Sequence, residues 1–145
     1  MPGITLEKNN YESVYESLKD DSWIVACLCA GWCGACREYR QGFMDLANSH
    51  PGVHFIWIDI EDQADVVGDL DIDNFPTLLI QRGDIVTFIS PVHPDPKQAE
   101  RILQSQTGQT VEELTKASSS NEEHIEWQQN CNLRQLLRKA IDSEE

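Results

Sequence analysis

Five cysteines stand in a chain of 145 residues, and four of them, Cys27, Cys29, Cys33 and Cys36, fall within ten consecutive positions. The last two are spaced Cys-x-x-Cys, and cysteines so spaced have three uses. At the first turn of a helix they can close a small disulfide with little rearrangement of the chain. One then attacks a foreign disulfide as a thiolate, and the other releases the product from the mixed disulfide. With two more thiolates nearby they can hold zinc or an iron–sulfur cluster. Buried together on a helix, they are inert small hydrophobes. The third use explains poorly a Cys33 that follows Trp32 at a loop end. The second requires Cys27 and Cys29, which stand at i and i+2 in an apolar, strand-like run rather than in a turn. Exchange chemistry is the expectation, with Cys33 as nucleophile, Cys36 as resolving thiol and no metal or cofactor.

That chemistry needs a strand-to-helix junction, and the flanking residues supply one. Trp23 to Ala30 is a nearly unbroken apolar run with β-branched Ile24 and Val25, the pattern of a strand buried on both faces. Gly31 ends it. From Gly34 to about Asn48 the apolar residues Tyr39, Phe43, Leu46 and Ala47 recur at helical spacing. Such a helix presents unpaired N–H groups and the positive end of its dipole to Cys33, which favours a thiolate there by up to ~2 kcal/mol.

Around this junction a short helix from Tyr11 to Lys19, capped by Asn9-Asn10, is expected first. Val53 to Ile60 reads as a strand and Gln63 to Leu70 as a short helix. Thr77 to Gln81 and Ile85 to Ile89 form a hairpin turned at Arg82-Gly83-Asp84. Pro94 and Pro96 open a helix that Gly108 stops, and Thr110 with Glu113 makes a capping box for one that ends near Ala117. A βαβ unit followed by an antiparallel hairpin predicts an α/β fold: a mixed central sheet flanked by helices on both faces. Ser118 to Ser120 reads as a linker, dividing a domain of residues 1–117 from a C-terminal helical extension of residues 118–145. In that extension Asn132 and Gln135 cap a helix whose Leu133, Leu136, Leu137, Ala140 and Ile141 share one face. The stripe docks on its own domain, on a partner or on a second copy of the chain.

The formal net charge is −14, and no Lys/Arg cluster accompanies it, which argues against nucleic acid and membrane surfaces as partners. No run approaches the roughly 18 apolar residues of a membrane span. Met1 to Ser13 lacks the pattern of a signal peptide, so a reducing, cytoplasmic compartment is the expectation. His50, His54, His93 and His124 have no spaced partners and read as structural or solvated. No Gly-rich dinucleotide fingerprint is present, so reducing power would come from a separate reductase.

Trp32-Cys33-Gly34-Ala35-Cys36 after an apolar strand, with Phe75-Pro76-Thr77 opening a later one, resembles the thioredoxin family. The match runs from about Leu6 to Ala117 in element order as well as motif. The resemblance implies a thioredoxin fold and a protein thiol-disulfide oxidoreductase of cell redox homeostasis that acts on protein disulfides. It also implies a cis peptide before Pro76, facing the cysteines, and a substrate surface made by Trp32, Gly34, Ala35, Phe75, Pro76 and Thr77.

Several residues depart from the family pattern. Ala35 replaces the usual proline, which implies a less reducing couple. Cys27 stands where a buried Asp is usual, and the partner Lys of that Asp falls at Trp57. Cys29 replaces a second Trp. Cys27 and Cys29 are thus extra thiols beside the active pair, either plain core residues or auxiliary thiols, with Cys29 able to trap an oxidised Cys33 or Cys36. The acidic run Asp69-Leu70-Asp71-Ile72-Asp73-Asn74 opposes a thiolate, repels acidic substrates and argues against glutathione. The lost Asp and the added C-terminal helix also suit another reading: a redox-weakened binding protein or chaperone working through that helix and the substrate groove.

Overall fold

A computed structural model describes residues 3–19, 21–68, 70 and 72–143. Five strands form one mixed sheet in the order β1-β3-β2-β4-β5: β1 (Ile4–Thr5), β2 (Trp23–Cys29), β3 (Val53–Asp59), β4 (Thr77–Arg82) and β5 (Ile85–Pro91). β3 runs parallel to β1 and β2, whereas β4 runs antiparallel to both β2 and β5. The helices are α1 (Tyr11–Ser17), α2 (Gly34–Ser49), α3 (Ala64–Val67), α4 (Pro96–Thr107), α5 (Val111–Ser118), α6 (Glu122–Asn130) and α7 (Leu133–Ser143). Among the described residues, no helix is long and apolar enough to cross a membrane.

The apolar run of β2 is buried because both of its faces are covered. Ile24, Ala26 and Leu28 point into one core with Val14 of α1, Val66 of α3 and Leu137 of α7. Val25, Cys27 and Cys29 point into a second core with Phe43 of α2, Phe55 of β3 and Leu103 of α4. This is the period-two alternation of a strand, and it places every cysteine of β2 on the α2 side. α4 approaches α2 so closely that a Cβ on Gly42 would collide with the Pro96 ring. The expected hairpin turn is present, with Gly83 at φ 56°, a left-handed value that favours glycine.

Three elements escaped the sequence reading: a single 3-10 turn at Lys8–Asn10, β1 and α6. β1 has two residues and becomes a strand through its edge pairing with Ile56 and Trp57. α6 has weak apolar periodicity, although Asn121 accepts a bond from the His124 N–H at its start. The Thr110/Glu113 capping box forms as expected. Asn10 does not cap α1; its side chain instead binds the Glu7 N–H and the Thr5 carbonyl, tying the first loop back to β1.

The apolar stripe of α7 docks on the chain's own core, where Leu133 and Leu137 are fully buried. One buried polar pair fixes its start. Gln81 Nε2 donates to Asn132 Oδ1 at 2.7 Å and to the Gly83 carbonyl at 2.8 Å, while its Oε1 accepts from the Leu133 N–H at 2.9 Å. Asn132 therefore holds the helix start to the β4–β5 hairpin, a role that its reading as a local cap did not contain. Gln81→Leu leaves the Leu133 N–H and Asn132 Oδ1 without this partner in a buried setting. It is expected to cost about 2 kcal/mol of stability, read as a lower urea midpoint; an unchanged midpoint contradicts the role.

Candidate active site

β2 ends at Cys29, the chain turns through Ala30-Gly31-Trp32, and α2 begins at Gly34 with Cys33 as its N-cap residue. The Cys33 N–H donates back to the Ala30 carbonyl at 3.0 Å, and the Arg37 N–H donates to the Cys33 carbonyl at 3.2 Å. Cys33 is held at the mouth of α2 as a free, half-buried thiol. Arg37 closes the turn by donating to the Gly31 carbonyl at 2.9 Å.

The Phe75-Pro76 peptide is cis, as the resemblance implied. Its position follows from strand register. Leu28 lies opposite Thr77 in the antiparallel β2–β4 pair, so one further step brings Pro76 beside Cys29. Thr77 Oγ1 donates to the Asn74 carbonyl at 2.6 Å, and the Val92 N–H donates to the Pro76 carbonyl at 3.0 Å, which fixes the turn from both sides. Across the gap, the Trp32 ring meets the Phe75 ring edge-on at 5.6 Å while remaining 66% exposed. Trp32, Gly34 and Phe75 form a solvent-facing rim; Ala35 is half-buried, and Pro76 and Thr77 are buried behind it. A Cβ on Gly34 would meet only Arg37 Nη2 at 3.9 Å, so no internal packing demands glycine there.

The sulfur pairing differs from the expected Cys33–Cys36 bridge. Cys36 is bonded to Cys29, with their Cα atoms 5.8 Å apart, and Cys33 is free. The reason is direction. Cys36, in the first turn of α2, points inward to the sheet face onto which Cys29 also projects, whereas Cys33 stays at the rim. Cys29 and Cys36 are each only 1% exposed. Cys27 lies two residues earlier on the same face of β2, its Sγ 3.5 Å from that of Cys29. Burial pushes the Cys27 thiol well above its usual range. The Tyr39 hydroxyl, pushed up by burial and then by Cys27 and Asp95, has no hydrogen-bond partner among the described residues. Cys27 lies opposite Trp57 in the β2–β3 pair, so two uncharged side chains occupy the positions that the family pattern gives to an acid and a base.

Two cavities adjoin the site. One, of about 170 Å³, is walled by Cys29 and Cys36 together with Arg37, Arg40, Trp57 and Asp59. The other, of about 510 Å³, runs from Asn74, Thr77 and Pro91 to Trp127, Cys131 and Leu136 of the C-terminal helices. Asp73 is exposed on this side, while Asp69 and Asp71 lie outside the described residues. None of the histidines joins the thiols: His50 pairs with Glu100 at 3.3 Å and His124 stacks on Trp127.

The thioredoxin family model matches residues 3–104. A putative thioredoxin 2 of Streptomyces coelicolor is 26% identical over 88 residues, which cover 61% of this chain and 63% of that protein's length. The chain thus spans less than two thirds of that relative. Among solved structures, a poplar thioredoxin h superposes with a TM-score of 0.65 at 17% identity, covering 76% of this chain and all of that one. A structure of ferredoxin:thioredoxin reductase in complex with thioredoxin f2 matches with a TM-score of 0.62 at 15% identity, covering 73% and 96% of the two chains. With the family model spanning most of the sequence and a Cys-x-x-Cys helix start set beside a cis-proline turn, this chain belongs to the thioredoxin family.

Proposed function

We propose that the chain is a protein thiol-disulfide oxidoreductase in which Cys33 attacks a substrate disulfide and Cys36 resolves the mixed disulfide. The observation that carries this reading is the free Cys33 thiol at the N-terminus of α2, flanked by an exposed Trp32–Phe75 rim and the cis-Pro76 turn. Starting from the fully reduced chain, the Cys33 thiolate bonds to one substrate sulfur and expels the other as a thiolate. Cys36 then attacks Cys33 Sγ and releases the first substrate sulfur. The substrate gains two electrons and the chain loses two. Cys33 is the N-cap residue of α2, the end at which a helix favours negative charge. The Phe75 backbone beside Pro76 offers an extended substrate segment a pairing edge.

A reductase restores the thiols. The thioredoxin f2 structure, in which that protein is bound to ferredoxin:thioredoxin reductase, supports expecting such a partner. A cytoplasmic setting suits this chemistry, since a dithiol that must be re-reduced works where thiols are kept reduced. A second reading, a binding protein that uses the groove, draws on the 510 Å³ cavity between the cis-proline turn and the C-terminal helices, rimmed by Asp73, Glu123 and Glu126.

One assay separates the two. With dithiothreitol as reductant, the wild-type chain is expected to accelerate insulin reduction, and Cys33→Ser to fall to the dithiothreitol background. Equal rates for the two favour the binding reading. Thiol reactivity gives a second check. At about pH 8, near the ordinary titration of cysteine, Cys27 stays a thiol because burial pushes it up. Cys131, half-buried, is also pushed up, by burial and then by Glu126. Maleimide labelling of the native chain is expected to be fastest at Cys33, slower at Cys131, and absent at Cys27 until denaturant is added. Labelling of Cys27 in the native chain contradicts this order.

A further inference from the structure

We propose that Cys29 is a third redox thiol, to which the disulfide formed at the surface migrates, so that the oxidised chain stores a buried Cys29–Cys36 bridge and presents Cys33 again as a free thiol. The inference rests on the exchange reading above and adds a step to it.

The geometry makes Cys36 the sulfur common to both bridges. It lies one helical turn from Cys33 along α2 and faces Cys29 across the gap between helix and sheet. The 5.8 Å separation of the Cys29 and Cys36 Cα atoms lies in the range where two cysteines bond without backbone movement. Cys27 is no competitor: it stays a free, fully buried thiol while Cys36 is bonded to Cys29, and burial raises it, which makes it a poor attacker. The 170 Å³ cavity walled by Cys29, Cys36 and Asp59 leaves room beside the sulfurs for them to rearrange.

The added step is an isomerisation. Cys29, as a thiolate, attacks Cys36 Sγ; the Cys29–Cys36 bond forms and the Cys33–Cys36 bond breaks. Cys33 leaves as a thiolate and takes up the proton that Cys29 gave away. No electrons enter or leave, so no further oxidant is needed beyond the substrate disulfide. The direction follows from the geometry: Cys29 and Cys36 face each other in the core and bond there, whereas Cys33 is left free at the half-buried rim. A protein thiol cannot reach the new bridge, because both of its sulfurs are almost wholly covered. Reduction must run backwards, through attack of Cys33 on Cys36. The oxidised chain therefore keeps a nucleophile at its rim and can still form a mixed disulfide.

The test uses the full wild-type chain, reduced and then mixed with insulin as the disulfide substrate. Free thiols are blocked with N-ethylmaleimide in denaturant at mildly acidic pH; bridges are then reduced and labelled with iodoacetamide. All four clustered cysteines lie on the tryptic peptide that follows Lys19 and ends at Arg37, so tandem fragmentation assigns each label. The expected pattern has iodoacetamide on Cys29 and Cys36 and maleimide on Cys27 and Cys33, replacing an early pattern with iodoacetamide on Cys33 and Cys36. Iodoacetamide that stays on Cys33 and Cys36, or settles on Cys27 and Cys29, overturns the proposal and leaves the exchange reading standing. Maleimide on every cysteine, with insulin still oxidised, defeats both.

Discussion

The antiparallel ladder between β2 and β4 is the constraint on which the site depends. It fixes Leu28 against Thr77, and through that register it brings a cis-proline turn and a cysteine-rich strand end to the same edge of the sheet. The apolar character of β2 enforces the register. A slip of one residue would turn Ile24, Ala26 and Leu28 out of one core and Val25, Cys27 and Cys29 out of the other. Everything chemical is built at the end of this ladder. α2 starts where β2 stops, so its unpaired amides, Cys33 and the Phe75-Pro76 turn are neighbours by construction.

Much of this was legible in the residues. The strand-like run before Gly31, the helical spacing of Tyr39, Phe43 and Leu46, and the turn at Arg82-Gly83-Asp84 each have a local physical cause, and each appears within a residue or two of its expected bounds. The features that were missed lack local causes. Ile4 and Thr5 are a strand only because β3 offers an edge. Gln81 lies in an otherwise apolar strand and gains its meaning from Asn132, fifty-one residues away. The pairing of Cys36 with Cys29 was the least legible of all. Spacing along the chain favours Cys33 as partner, and only the inward direction of Cys36 across the helix–sheet gap favours Cys29. The identity of Cys29 was still a signal, because it placed a thiol on the face that α2 covers.

The residues that depart from the family pattern gather around the end of β2. Where a carboxylate and an amine would handle protons beneath the thiols, this chain has Cys27 opposite Trp57, both buried and uncharged. Cys29, in place of a large aromatic ring, supplies a sulfur. The C-terminal helices then extend the far side of the cis-proline turn with Trp127, Cys131 and Leu136, making a wall beside the rim where substrate backbone would lie. An uncharged pair, an added sulfur and a cavity bordered by the C-terminal helices thus all adjoin the region where β2 ends and β4 begins.

The most direct test of the account follows a single adduct. The reduced native chain is mixed with less than one equivalent of dithionitrobenzoate, an aromatic disulfide, and the peptide ending at Arg37 is followed by mass. The account predicts an adduct on Cys33 that is expelled from within, leaving an internal bridge and a released thionitrobenzoate. An adduct that persists on Cys33 in the native chain, or one that forms first at another of the clustered cysteines, contradicts it.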